Sequence, residues 1–180
     1  MIALEDALEK FLSWGVKFDV LICGYERAKM HAAALADHAP LKILSYQDKE
    51  NPLHTAMMFL QATKCPSVNL IGVPPEKLML PFSDMNIVVF YAGFRWSLIC
   101  NGSFEKWMKA GTQLRFISTG NLAKEGLTDD IVQTQGIVRI TGNTPFWVGE
   151  PYELRMIEER TLTSTRSMGC GVLFRRMNLP

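Results

Sequence analysis

The chain has 180 residues, 48% of them hydrophobic and 21% charged, with 19 basic against 18 acidic side chains. That composition is globular and suits one ordinary domain or two small ones. A formal charge of +1 excludes the basic surface that nucleic-acid binders display, and no apolar run approaches the roughly 20 residues of a bilayer span. The opening Met1–Asp6 carries charge too early for a secretory leader, so the expectation is a cytoplasmic protein with neither nucleic acid nor membrane as partner.

Leu4, Leu8, Phe11 and Leu12 recur at helical spacing and predict an opening helix that stops at Gly15. Phe18 to Cys23 is a short apolar run closed by Gly24, the form of a buried parallel strand. Arg27 to Asp37 predicts a helix, broken at Pro40, and Leu41 to Tyr46 a second strand. Pro52 to Thr63 predicts another helix, with Leu53, Ala56, Met57 and Leu60 on one side, and Val68 to Gly72 a third strand. Strand and helix alternating through short connections is the pattern of a parallel sheet with right-handed crossovers.

Pro74, Pro75 and Pro81 mark a boundary near residues 74–85. Beyond it the helical period nearly vanishes. Strands are predicted at Ile87–Tyr91, Phe94–Cys100, Gln113–Ser118, Ile137–Thr141, Phe146–Val148, Tyr152–Ile157 and Val172–Arg175, with Asn101-Gly102 as a hairpin turn. The expected fold class is α/β followed by all-β. Residues 1–80 would form a parallel α/β/α-type sheet of nucleotide-binding kind, and 81–180 a small C-terminal β-sandwich.

Chemistry-bearing motifs are few. The four cysteines are far apart, with no Cys-x-x-Cys pair, which reads as reduced structural thiols rather than zinc ligands. No phosphate-binding glycine loop and no Gly-x-Ser-x-Gly is present. His31, His38 and His54 stand beside no Cys or Ser and read as surface or helix-packing residues. Gln47 to Pro52 falls at the carboxyl end of the second strand, the edge where ligands sit in such sheets. Asp48 or Glu50 there suits magnesium, whereas Asn51-Pro52 is explained by helix initiation alone. Trp107, Phe146 and Trp147 suit stacking on a flat ligand or, more commonly, core and dimer contacts. Met57, Met58 and Met79 read as gap-filling core.

The order of these segments resembles the thiamine pyrophosphokinase family. Gly15 to Gly24 resembles the segment of that family in which a Gly-x-x-Pro-Asp turn leads into a strand, and Asp48-Lys49-Glu50-Asn51-Pro52 resembles its acidic stretch opening a helix. Thr161 to Arg166 is similar to its thiamine-side strand. The resemblance implies pyrophosphoryl transfer from ATP to thiamine with Mg2+; a homodimer is expected separately. It implies catalytic roles for Asp48, Asn51 and Glu26, with Asp48 on the metal and Gly24 with Asp48 at the nucleotide. Ser164, Thr165 and Trp147 would contact thiamine. The departures are in the acids. Gly24-Tyr25-Glu26-Arg27-Ala28 lacks both aspartates of the family's loop, Asn51 replaces a third, and the first strand has no room for a preceding strand with its acidic loop. Site chemistry therefore favours a non-catalytic derivative, a pseudoenzyme that binds a nucleotide or a thiamine-like ligand. An interaction protein that dimerises through a β edge is the further alternative.

Overall fold

The structure is a computed structural model and describes residues 1–47, 51–78 and 85–152. They fall into two units, one of residues 1–73 with 85–86, the other of 74–78 and 87–152.

The first unit runs β1 (Ile2–Leu4), α1 (Leu8–Ser13), β2 (Val20–Gly24), α2 (Tyr25–Ala34), β3 (Lys42–Tyr46), α3 (Pro52–Ala62) and β4 (Ser67–Ile71). β2 is the middle strand of a three-stranded sheet, parallel to β1 on one side and β3 on the other. All five of its residues are buried, as a strand covered on both faces requires. One face carries Ala3, Leu21 and Cys23, which pack with Leu8, Phe11, Phe18 and Leu35. Ile2, Leu4, Val20 and Ile22 alternate onto the other face and are also buried, and α3 lies against β1 and β2.

Two expectations need correction here. The opening segment does not begin as a helix, and the first predicted strand does have a preceding one: Ile2–Leu4 is β1, in register with Val20–Ile22. Leu4 kept the helical period only by coincidence of spacing, because three strand residues are too few to show alternation. The third place in the parallel sheet accordingly belongs to β1, and β4, at the predicted Val68–Gly72, is not one of its three strands.

The second unit is antiparallel throughout. β5 (Asn86–Tyr91), β6 (Phe94–Ile99), β13 (Phe146–Pro151) and β8 (Arg115–Ser118) lie side by side in that order. A second sheet has the order β7 (Ser103–Met108), β12 (Gly136–Gly142), β9 (Leu122–Glu125). β10 (Leu127–Thr128) and β11 (Ile131–Val132) form a short ribbon. Met108, Val138 and Ile140 from one sheet share a core with Phe146 and Val148 from the other, and Leu114 and Val132 complete it.

Asn101-Gly102 makes a turn, with Ser103 N–H donating to Asn101 Oδ1 at 3.2 Å. It does not make the expected hairpin, because β6 and β7 belong to different sheets. Gly102 has φ +72°, and a Cβ there would meet Gly142 O at 2.7 Å. The glycine is what lets two backbones cross closely as the chain changes sheet. β7 and β9 were not predicted, and the predicted strand at Val172–Arg175 lies outside the described residues, as does the one starting at Tyr152 from residue 153 onward.

Candidate functional site

Parallel pairing aligns the carboxyl ends of the three strands. Leu4 stands opposite Ile22, and Gly24 opposite Tyr46, so Glu5, the β2–α2 junction and Tyr46 share one edge. That edge collects ligands in open α/β sheets because helix amino termini and loops converge there.

Glu5 is the centre of it. Its Oε2 accepts from the Gly24 N–H at 3.1 Å and from Arg27 Nη2 at 2.9 Å. Oε1 meets His31 Nε2 at 2.6 Å. The Glu5 side chain is 9% exposed and His31 13%, whereas Arg27 keeps 55% of its surface. A shielded carboxylate needs such partners, since stripping it of water without them is costly. Gly24, Arg27 and His31 lie at i, i+3 and i+7, one face of α2 and its cap, so the carboxylate meets one helix at three levels.

The neighbours record that charge. Burial pushes the Cys23 thiol up, Glu5 adds to the shift, and Arg27 opposes it. Burial likewise pushes the Tyr46 phenol up, again with Glu5 adding and Arg27 opposing. Both groups thus hold their protons to higher pH folded than unfolded. Above the unperturbed thiol value of about 8.5 the unfolded chain releases its Cys23 proton first, so stability falls as pH rises. Urea midpoints measured between about pH 7 and 10 should decline, and Cys23→Ala should flatten the decline above about pH 8.5.

The residues singled out in the sequence are distributed as follows. Gly24 is at the site and donates to Glu5. Glu26 is exposed in the first turn of α2. Asn51 caps α3, its Oδ1 accepting from the Leu53 N–H at 2.9 Å, with Pro52 in the first turn. Asn51→Ala should therefore lower stability by about 1 kcal/mol, read from a urea midpoint. Trp147 and Phe146 are 4% and 0% exposed, leaving no ring face for a ligand, while Trp107 is 60% exposed. Met57 is buried, but Met58 is 48% exposed and not the core residue expected. Asp48, Glu50, Met79, Ser164 and Thr165 lie outside the described residues. Cys23, Cys65 and Cys100 are free thiols, Cys23 buried and Cys100 exposed.

Glu5 and His31 were missed. His31 has a carboxylate partner after all, but one 26 residues away in sequence. The only available signal was Arg27 and His31 four apart on a helix, which means little until β1 brings Glu5 opposite them.

Among the described residues no helix is long and apolar enough to cross a membrane. The arrangement defines a class: an α/β unit with a polar, charge-paired edge, joined in sequence to an antiparallel β unit. Solved structures supply the particular likeness. A thiamin pyrophosphokinase from Geobacillus thermodenitrificans superposes with a TM-score of 0.61 at 8% identity, over 86% of each chain. The Bacillus subtilis thiamine pyrophosphokinase gives 0.59 at 8%, over 85% of this chain and 87% of that one. A probable thiamine pyrophosphokinase from Staphylococcus saprophyticus gives 0.57 at 9%, over 84% and 86%. No protein-family model and no curated protein matches the sequence. The chain has the thiamine pyrophosphokinase fold.

Magnesium, which the resemblance implies, needs oxygen ligands that are free to turn toward it. Glu5 is committed to three protein donors, and Asn51 Oδ1 to its helix. No group of three His, Cys, Asp or Glu among the described residues could hold a metal. The described residues thus hold no preformed three-ligand cluster for the ion, and of the predicted acids Glu26, exposed on α2, is the described one that stays open to it.

Proposed function

We propose that the chain is a thiamine pyrophosphokinase-like protein that binds a nucleotide or thiamine-type ligand at the carboxyl edge of β1, β2 and β3, and that it has lost efficient pyrophosphoryl transfer. The observation that carries this reading is the engagement of Glu5: the carboxylate at that edge is paired with Arg27 and hydrogen-bonded to His31 and the Gly24 N–H. Phosphoryl chemistry depends on stabilising charge that develops on phosphate oxygens, and removing one well-placed stabiliser typically costs about 10²–10³ in rate. The residues proposed to meet ligand are Gly24, Glu26 and Asp48 on the nucleotide side and Ser164 and Thr165 on the thiamine side.

Isothermal titration with magnesium-ATP and with thiamine, followed by a coupled assay for AMP release, tests the reading. Binding of at least one ligand without AMP release is the expected result. Binding of both with AMP release at ordinary enzyme rates would overturn the loss of transfer, and binding of neither would overturn the ligand site. Asp48→Asn should weaken magnesium-ATP binding wherever that carboxylate contributes. The alternative, a non-catalytic homodimer, is favoured by Trp107 and Ile137, cross-strand neighbours that are 60% and 49% exposed. Light scattering reads it directly.

A further inference from the structure

We propose that Glu5 is a latch for α2: its three contacts hold the helix against the sheet, and their release lets α2 open as a unit while the rest of the first unit stays folded. The inference concerns the same edge as the ligand reading but needs no ligand, so the two fail independently.

The reason lies in how little else holds the helix. None of the ten residues of α2 is buried, and only Ala28 and His31 are even half-buried. Tyr25 and Met30 are 65% and 59% exposed. By contrast α3 buries Leu53, Ala56, Met57 and Leu60. Helices in proteins are stabilised mainly by packing an apolar face, and ten residues are too few to be stable alone. α2 has almost no such face. What it has is a charge-paired one, with Gly24 N–H, Arg27 and His31 all directed to a carboxylate that is 9% exposed. Hydrogen bonds to an ionised group in a shielded site are stronger than neutral ones.

The apolar anchor sits at one end. Leu35, the residue that ends the helix, is 4% exposed and packs with Phe11, Phe18 and Leu21, and Ala28 adds a partial contact. Glu5 secures the amino-terminal end and middle, and Leu35 the carboxyl-terminal end. Opening about Leu35 would uncover β2 and β3, the strands α2 lies against. Local openings of this kind occur where few buried apolar contacts resist them.

Amide hydrogen exchange on the full chain tests this. In Glu5→Gln, which keeps the shape but removes the charge, the amides of residues 25–34 should exchange about 10–100-fold faster, the range expected when charged hydrogen bonds are lost. The amides of α3 and of β12 should stay at their original rates. No acceleration in α2 would overturn the latch and leave Ala28 and Leu35 as what holds the helix. Equal acceleration of α2 and α3 would overturn it too, making Glu5 a support of the whole unit. His31→Gln, which leaves Glu5 and Arg27 in place, should produce the same selective pattern at smaller amplitude, and it decides the matter should Glu5→Gln fail to fold. Acceleration spread over both helices, or none, would then sink the idea.

Discussion

Phe146→Ala should destabilise the second unit by about 3–5 kcal/mol. Phe146 has no exposed surface and lies in the core shared by the two antiparallel sheets, with Met108, Val138 and Ile140 from one of them. Its ring also packs against backbone, since a Cβ on Gly142 would come within 3.0 Å of Phe146 Cδ1. Walls made of hydrogen-bonded strands relax poorly into a vacated volume, which places the cost high in the usual range. Trp96 and Trp147, 6% and 4% exposed, supply a fluorescence signal from this unit. A loss below about 1 kcal/mol would mean the sheets do not share a tightly packed core.

Leu21→Ala should cost about 2–5 kcal/mol in the first unit. Leu21 is fully buried on the central strand, with Ala3 opposite it on β1 and Ile43 on β3. Its neighbours Ala3 and Ala7 are too small to fill the space it would leave. Among the described residues all three α-helices are in this unit, so circular dichroism near 222 nm follows it, while the fluorescence of the buried Trp96 and Trp147 follows the other, Trp14 of the first unit being 70% exposed already. Leu21→Ala should move the circular dichroism midpoint, and Phe146→Ala the fluorescence midpoint. Both substitutions shifting both signals equally would show one cooperative transition instead of two.

The general layout was legible because its signals are local. Val20–Gly24, Lys42–Tyr46 and Pro52–Ala62 all fall where apolar runs, Gly24 and Asn51-Pro52 place them, and the family likeness followed from their order. β1 was not legible, since Leu4 falls in phase with Leu8 and Phe11. β7 and β9 escaped for a different reason. Ser103–Met108 and Leu122–Glu125 are largely exposed, and Lys106 stands between the core-facing Phe104 and Met108 as Lys124 follows Leu122, so the apolar alternation is broken. Nor can a turn dipeptide say whether the strands it joins pair with each other, and at Gly102 they do not.

The candidate site follows the same division. Asn51 was readable as a cap because capping is a matter of adjacent residues. The Glu5 cluster was not, because it exists only once β1 has paired with β2. Residues 24–28 lack both aspartates of the resembled loop and keep Glu26 alone, while Glu5, contributed just after the preceding strand, is engaged by α2 and its cap.

That early strand also bears on synthesis. Every hydrogen-bonded neighbour in the β1–β2–β3 sheet has left the ribosome once Tyr46 is clear, so this half can organise while translation continues. The later half has no such head start: β6 gains its second partner only when β13, at Phe146–Pro151, has been made. A chain stalled before that point would carry an unsatisfied strand edge, the kind of surface that chaperones guard and aggregates exploit.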